Sequence, residues 1–235
     1  MRRKTRLAGL GSIAALSAGV LLTACSPVQI GAAAIVGNQR ITEASLDSDV
    51  SNLQATASQH PSQVTITSAE MPSTVLNWLV QFQLYDKMAS QAGITVTETD
   101  YQAEQKSLQS QVQGGSLALA VASIGVPPSL ESAFITYAAQ STAIDNKVTG
   151  GKQVTTQAQE NAAEAQLKTR TCSALTSLNV KVNPRYGQFT QVQTENQETG
   201  QEQAEFSISA FQDQLSSAGG SNPSAAPKPA IDYYC

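Results

Sequence analysis

The chain has 235 residues, 41% of them hydrophobic and 14% charged, with 14 Lys and Arg against 18 Asp and Glu. Four of the basic residues, Arg2, Arg3, Lys4 and Arg6, fall at the extreme N-terminus, so the remainder carries 10 basic against 18 acidic groups. That balance, with no dense basic run, argues against nucleic acid as a partner, because such binding rests on neutralising phosphates.

Met1-Arg-Arg-Lys-Thr-Arg6 is a basic n-region, and residues 7–22 form an uncharged apolar run. This is the layout of a secretory signal and not of a spanning helix, since the run is short and a processing site follows. Arg2-Arg3 lacks the flanking residues of twin-arginine export, which leaves the general secretory route. The processing site Leu22-Thr-Ala-Cys25 resembles the bacterial lipobox at all of its positions. The resemblance implies a diacylglyceryl group on the Cys25 thiol and cleavage that makes Cys25 the first residue. A plain signal peptide with a chance Cys is the alternative. Two or more acyl chains, at roughly 0.8 kcal/mol per buried methylene, hold a protein to a membrane without an inserted helix. The expected location is therefore the extracytoplasmic face of the cell membrane. Nothing after Cys25 reads as long and apolar enough to span.

The remaining cysteines are Cys172 and Cys235. With Cys25 lipidated, a Cys172–Cys235 disulfide is the one intramolecular bridge left in an oxidising compartment. Free thiols and a mobile chain end are the alternatives. Neither Cys has a His or Cys at ligand spacing, so no metal site is expected, and no cofactor motif is present.

Ala34-Ile-Val-Gly-Asn-Gln-Arg-Ile-Thr-Glu43 reads as a short strand, a turn at Gly37-Asn38 and a helix start capped by Thr42. No second strand is read directly after it. Leu46, Val50, Leu53 and Ala57 then share one helical face, and His60-Pro61 ends that helix. The strongest helix opens at Pro72 and carries Val75, Leu76, Leu79, Val80, Phe82, Leu84, Tyr85 and Met88, a wide apolar face that predicts a central position. Gly93 suits its C′ position. Thr97 caps a more polar helix with Tyr101, Leu108 and Val112. A short apolar segment over 117–124 follows, then Gly125-Val-Pro-Pro128 and a helix with Leu130, Phe134, Tyr137, Ala138, Ile144 and Val148. The last helix is predicted from about Thr155 to Leu178 and is rich in Ala, Gln and Glu. Val180 and Val182 alternate with polar residues as a second strand. That strand is the one partner available to residues 33–36. Past Phe189 the chain is Gln- and Glu-rich and then rich in Ser, Gly, Pro and Ala.

Three stretches in this order carry a family likeness. They are Ala33-Ala-Ile-Val-Gly-Asn-Gln-Arg-Ile-Thr-Glu43, Val75-Leu-Asn-Trp-Leu-Val-Gln-Phe-Gln-Leu-Tyr85 with Ala92-Gly-Ile-Thr-Val-Thr97, and Val180-Lys-Val-Asn-Pro-Arg-Tyr-Gly187. Behind an anchor Cys, they resemble the N-terminal helical domain of SurA/PrsA-type extracytoplasmic chaperones, in the actinobacterial lipoprotein form. The resemblance implies a mainly α body closed by a short two-stranded sheet, pairing a strand at about 33–36 with one at about 179–183. The expected organisation is a signal peptide at 1–24, a lipidated tether at 25–31, a helical domain at 32–189 and a low-complexity, partly disordered tail at 190–235. Family members often carry a parvulin prolyl isomerase domain with a pair of histidines. No such domain fits here and His60 is the only histidine, so no isomerase activity is expected.

Other enzyme chemistry is not expected either. His60 sits in a polar loop without the partners of a catalytic triad, and Asp47/Asp49 and Glu160/Glu164 read as solvated helix faces. Asn183-Pro-Arg-Tyr186 reads as a structural motif, with Pro184 ending the strand and Arg185 pairing with an acidic helix residue. The function expected is that of a holdase whose exposed amphipathic faces take unfolded or nascent secreted polypeptides. Its candidate client contacts are Trp78, Phe82, Tyr85, Phe134 and Tyr137, with plain core packing as the alternative for these aromatics. An envelope assembly lipoprotein with one dedicated partner is the competing reading.

Overall fold

The structure, a computed structural model, describes residues 30–112, 115–186, 191–192 and 233–234. The expected signal sequence, Cys25 and most of the tail, Cys235 included, lie outside the described residues.

Strand β1 (Ala32–Val36) turns through Gly37-Asn38 into β2 (Gln39–Thr42), with Val36 opposite Gln39. Gly37 takes φ 60°, which a two-residue hairpin turn requires and a side chain disfavours. Its N–H donates to the carbonyl of Leu178, so the turn also meets the end of the last helix. The hairpin corrects the expected two-stranded sheet. The sheet has three antiparallel strands in the order β2-β1-β3, where β3 is Lys181–Val182. Residues 39–42 do not read as a strand because only Ile41 is buried there, so no apolar alternation marks them. In the β1–β3 pairing, Ala34 faces Val182 and Ile35 faces Lys181. As the central strand, β1 buries Ala32, Ala33, Ala34 and Val36 completely. Three small side chains there let a helix pack close to the sheet.

Asn183 fastens this closure. Its N–H donates to Ala33 O at 2.9 Å, and its Nδ2 donates to Ala32 O at 3.2 Å and to Glu43 Oε1 at 3.1 Å. Its Oδ1 accepts from the Arg185 N–H at 3.1 Å. The expected ion pair of Arg185 is corrected: its guanidinium lies over the Tyr186 ring, 5.6 Å from the centroid. Asn183, not Arg185, reaches the acidic residue of the first helix.

Helix α1 (Glu43–Gln59) starts where Thr42 Oγ1 accepts from Ser45 N–H, buries Leu46 and Leu53, and stops at His60. Helix α2 (Met71–Gln91) has Pro in its first turn and is followed by Gly93 at φ 65°. Helix α3 (Glu98–Gln111) opens on a reciprocal capping box between Thr97 and Asp100. Helix α4 (Leu117–Ser123) is short, and a 3₁₀ turn at Pro128–Leu130 leads into α5 (Glu131–Thr149), which ends on left-handed Gly150. Helix α6 (Gln157–Leu178) is capped by Thr156 and stopped by Asn179 at φ 45°. It packs from its middle onward, with Leu167 partly buried against the core and Ala174, Leu175 and Leu178 buried, while its first half is mostly exposed.

As its apolar width predicts, α2 is central and touches α1, α5, α6 and β1. Trp78 Nε1 donates to Ile124 O at 3.0 Å, pinning the turn after α4 onto α2. Gly125 follows at φ 88°, and a Cβ there would lie 2.3 Å from Thr74 Cγ2. Strands β4 (Gln191–Val192) and β5 (Tyr233–Tyr234) form a separate parallel pair. Cys172 is disulfide-bonded, with its partner outside the described residues. Among the described residues no single helix is long and apolar enough to cross a membrane.

Candidate functional site

Helices α2 and α5 run side by side in the same direction. Trp78 meets Phe134, Phe82 meets Tyr137, Asp86 meets Gln140, and Lys147 donates to the Ala92 carbonyl, so the partners advance together along both helices. Tyr137 is the hub of the seam. Its ring lies 5.9 Å from Trp78, 5.8 Å from Phe82, 4.6 Å from Tyr85 and 5.8 Å from Phe134, mostly in edge or tilted contacts.

The five aromatics expected to contact clients are thus brought together, but inside the body. Trp78 and Phe82 are 7% exposed, Tyr137 6%, Tyr85 5% and Phe134 0%. Their expected role as an exposed contact surface is corrected: Trp78, Tyr85 and Phe134 are core. The physical reason is that all five lie where α2 and α5 face each other. The expected exposed amphipathic faces are corrected too. Among the described residues the exposed large hydrophobics are Ile30, just before β1, and Val154, in the connection between α5 and α6.

An apolar recess lies on this seam. A groove of about 250 Å³ lies between the helices. From α2 it is lined by Leu79, Phe82, Gln83 and Asp86, and from the α5 side by Leu130, Ala133, Thr136, Tyr137 and Gln140. Each helix contributes a stripe at i, i+3, i+4 and i+7, the spacing of one helical face. Phe82 and Tyr137, buried aromatics of the lining, make its floor, so two of the five aromatics do reach it. Ala133 and Thr136 are the small side chains of its lining. At the far end Gln140 Nε2 donates to Asp86 Oδ1 at 2.7 Å. The groove therefore grades from an aliphatic end at Leu79 and Leu130 to a polar end at Asp86 and Gln140.

Beneath the seam lie two shifted groups. Burial pushes the Tyr85 hydroxyl up to about 12, against hydrogen bonding with Ser141 and Tyr137. Burial also pushes the Asp145 carboxyl up to about 6. Neither Tyr85 nor Asp145 is among the residues that line the groove.

The other polar candidates are dispersed. His60 is exposed at the end of α1. Asp49 accepts from Ser129 Oγ at 3.0 Å, which braces the turn before α5, and burial raises its carboxyl above the usual range. Glu160 and Glu164 are exposed on α6. Among the described residues, no three His, Cys, Asp or Glu side chains are grouped to hold a metal. The groove itself was within reach of the sequence, as paired i, i+3, i+4, i+7 stripes on two helices, but which stripe stays uncovered depends on packing. Neither a family model, nor a curated protein, nor a solved structure matches this chain.

Proposed function

We propose that this chain is a membrane-tethered extracytoplasmic lipoprotein that acts as a holdase-type chaperone for secreted or envelope proteins, without prolyl isomerase activity. The observation that carries the reading is the groove between α2 and α5, an apolar recess with an aromatic floor, while among the described residues the exposed large hydrophobics are Ile30 and Val154. An apolar segment of an unfolded polypeptide gains by burying a side chain there, whereas a folded client has already hidden that segment. Such differential affinity delays aggregation without ATP or catalysis. The likeness to SurA/PrsA-type domains in the order strand, central helix and closing strand supports the same reading. The signal sequence and lipobox at Cys25 support a tether where exported chains emerge.

The disulfide on Cys172 and the pairing of Tyr233–Tyr234 with Gln191–Val192 favour a chain end drawn back toward the body through Cys235. The direct test is photocrosslinking from Thr136 to an array of peptides from secreted proteins. Broad crosslinking to apolar, aromatic-rich peptides is expected. A blank array, with one stoichiometric protein captured from the envelope instead, moves the function to a dedicated assembly partner.

A further inference from the structure

Charge is distributed unevenly around the groove. Asp86 is the one charged side chain among its described lining residues, and it sits at one end. Its Oδ1 is engaged by Gln140, and a carboxylate keeps further acceptor capacity on its second oxygen. Asp86 is exposed, and no Lys or Arg lines the groove to neutralise it. The opposite end is formed by the aliphatic side chains of Leu79 and Leu130. A ligand that fills the whole groove therefore needs an apolar group at one end and a cation or strong donor at the other.

The spacing restricts the ligand further. Leu79 and Asp86 are seven residues apart on one helix face, which is about 10 Å along the axis. In an extended peptide, side chains two positions apart point the same way and are separated by about 6.6 Å. A Lys or Arg stem closes the rest of that distance, with its own methylenes lying on the apolar floor.

We infer that the groove selects extended polypeptide segments in which an apolar side chain and a Lys or Arg lie two positions apart, the apolar group against Leu79 and Leu130 and the cation on Asp86. This rests on the chaperone reading only in taking a polypeptide as the ligand. The predominantly acidic chain favours the same ligand at long range, and Asp86 adds the local, position-specific component.

The test is fluorescence anisotropy on the full chain in nanodiscs of neutral lipid, with labelled peptides that carry Leu or Phe and, two positions on, Lys, Gln or Glu. The Lys peptide is expected to bind about tenfold more tightly than the Glu peptide. Asp86→Asn keeps the oxygen that accepts from Gln140 and is expected to remove the difference between Lys and Gln peptides. Glu160→Gln, an equal change in net charge on exposed α6, is expected to keep it. Equal binding of Lys and Glu peptides, or a Lys preference that survives in Asp86→Asn, would overturn the charge assignment while leaving the chaperone reading standing. Absence of binding by every peptide would overturn both. Self-association in sedimentation that Ala133→Trp abolishes, with no peptide bound, would place a second copy of the chain in the groove and overturn the proposal as well.

Discussion

Asn183 Nδ2 donates to Glu43 Oε1 at 3.1 Å across a sequence separation of 140 residues. The same side chain holds Ala32 O and the Arg185 N–H, so one residue ties the closing strand, the central strand and the first helix. Asn183→Ala breaks all three bonds and leaves partly buried groups unpaired. The expected loss is about 1–3 kcal/mol of unfolding free energy. Arg185→Ala removes only a cation stacked on Tyr186, for which about 0.5–1 kcal/mol is expected. Urea denaturation of the two variants checks the order, and a larger loss for Arg185→Ala would refute the assignment.

Two glycines with positive φ separate backbone strain from steric conflict. A Cβ at Gly150 meets nothing within 4 Å, whereas one at Gly125 lies 2.3 Å from Thr74 Cγ2 and 3.0 Å from Ile66 Cδ1. Gly150→Ala should cost about 1 kcal/mol for the left-handed backbone alone. Gly125→Ala should cost roughly 2–4 kcal/mol, because it also forces apart the contact between α2 and the turn that follows α4. Thermal melts of the pair give the comparison.

Gln81 is fully buried on α2, and neither its Nε2 nor its Oε1 has a hydrogen-bond partner among the described residues. Burying an amide without partners costs about 1–3 kcal/mol. Gln81→Met keeps the length of the side chain and removes both polar groups. It is expected to raise the denaturation midpoint, and a lower midpoint would show that the amide is satisfied in solution.

Stability should peak in mild acid. Burial raises Asp145 to about 6 and also raises Glu104 and Asp49. A carboxyl raised in the folded state holds its proton more tightly there than in the unfolded chain. Its contribution is complete below the unfolded value, ordinarily 3.8 for Asp145, and is lost as pH climbs through about 6. Glu70 and Asp100 act in the opposite sense. Hydrogen bonds from Thr67 and Thr97 lower their values, so their contribution is present above the ordinary 4.5 and 3.8 and fades as pH falls further. The melting temperature is expected to be highest between these windows. Asp145→Asn should flatten the decline toward neutrality and stabilise at pH 7 by about 1–2 kcal/mol, discounted for partial exposure. A melting temperature that rises from pH 5 to 7 would contradict this.

The helices were legible because their signals are local. Thr42 and Thr97 cap where a cap residue precedes an apolar repeat, and Gly93 and Gly150 stop helices through backbone freedom alone. The β1–β3 pairing was legible from two short apolar runs at either end of the helices. Strand β2 was not, because its residues are mostly exposed and its place in the sheet is set by the turn at Gly37. The fate of the aromatics was half legible. Helical spacing put Phe82, Tyr85, Phe134 and Tyr137 on apolar faces, but only the parallel docking of α2 and α5 decides that Tyr85 and Phe134 are enclosed while Phe82 and Tyr137 also floor a groove. The role of Asn183 was hidden for the same reason, since its partner Glu43 is adjacent only after closure.

The most direct test of the central claim is light scattering from a reduced secreted client, mixed at equimolar amounts with the wild-type chain or with Ala133→Trp, which fills the groove. The wild-type chain is expected to delay aggregation, and the filled variant, folded to the same melting temperature within a few degrees, is not. Aggregation unaffected by the wild-type chain, or delayed equally by both, would contradict it.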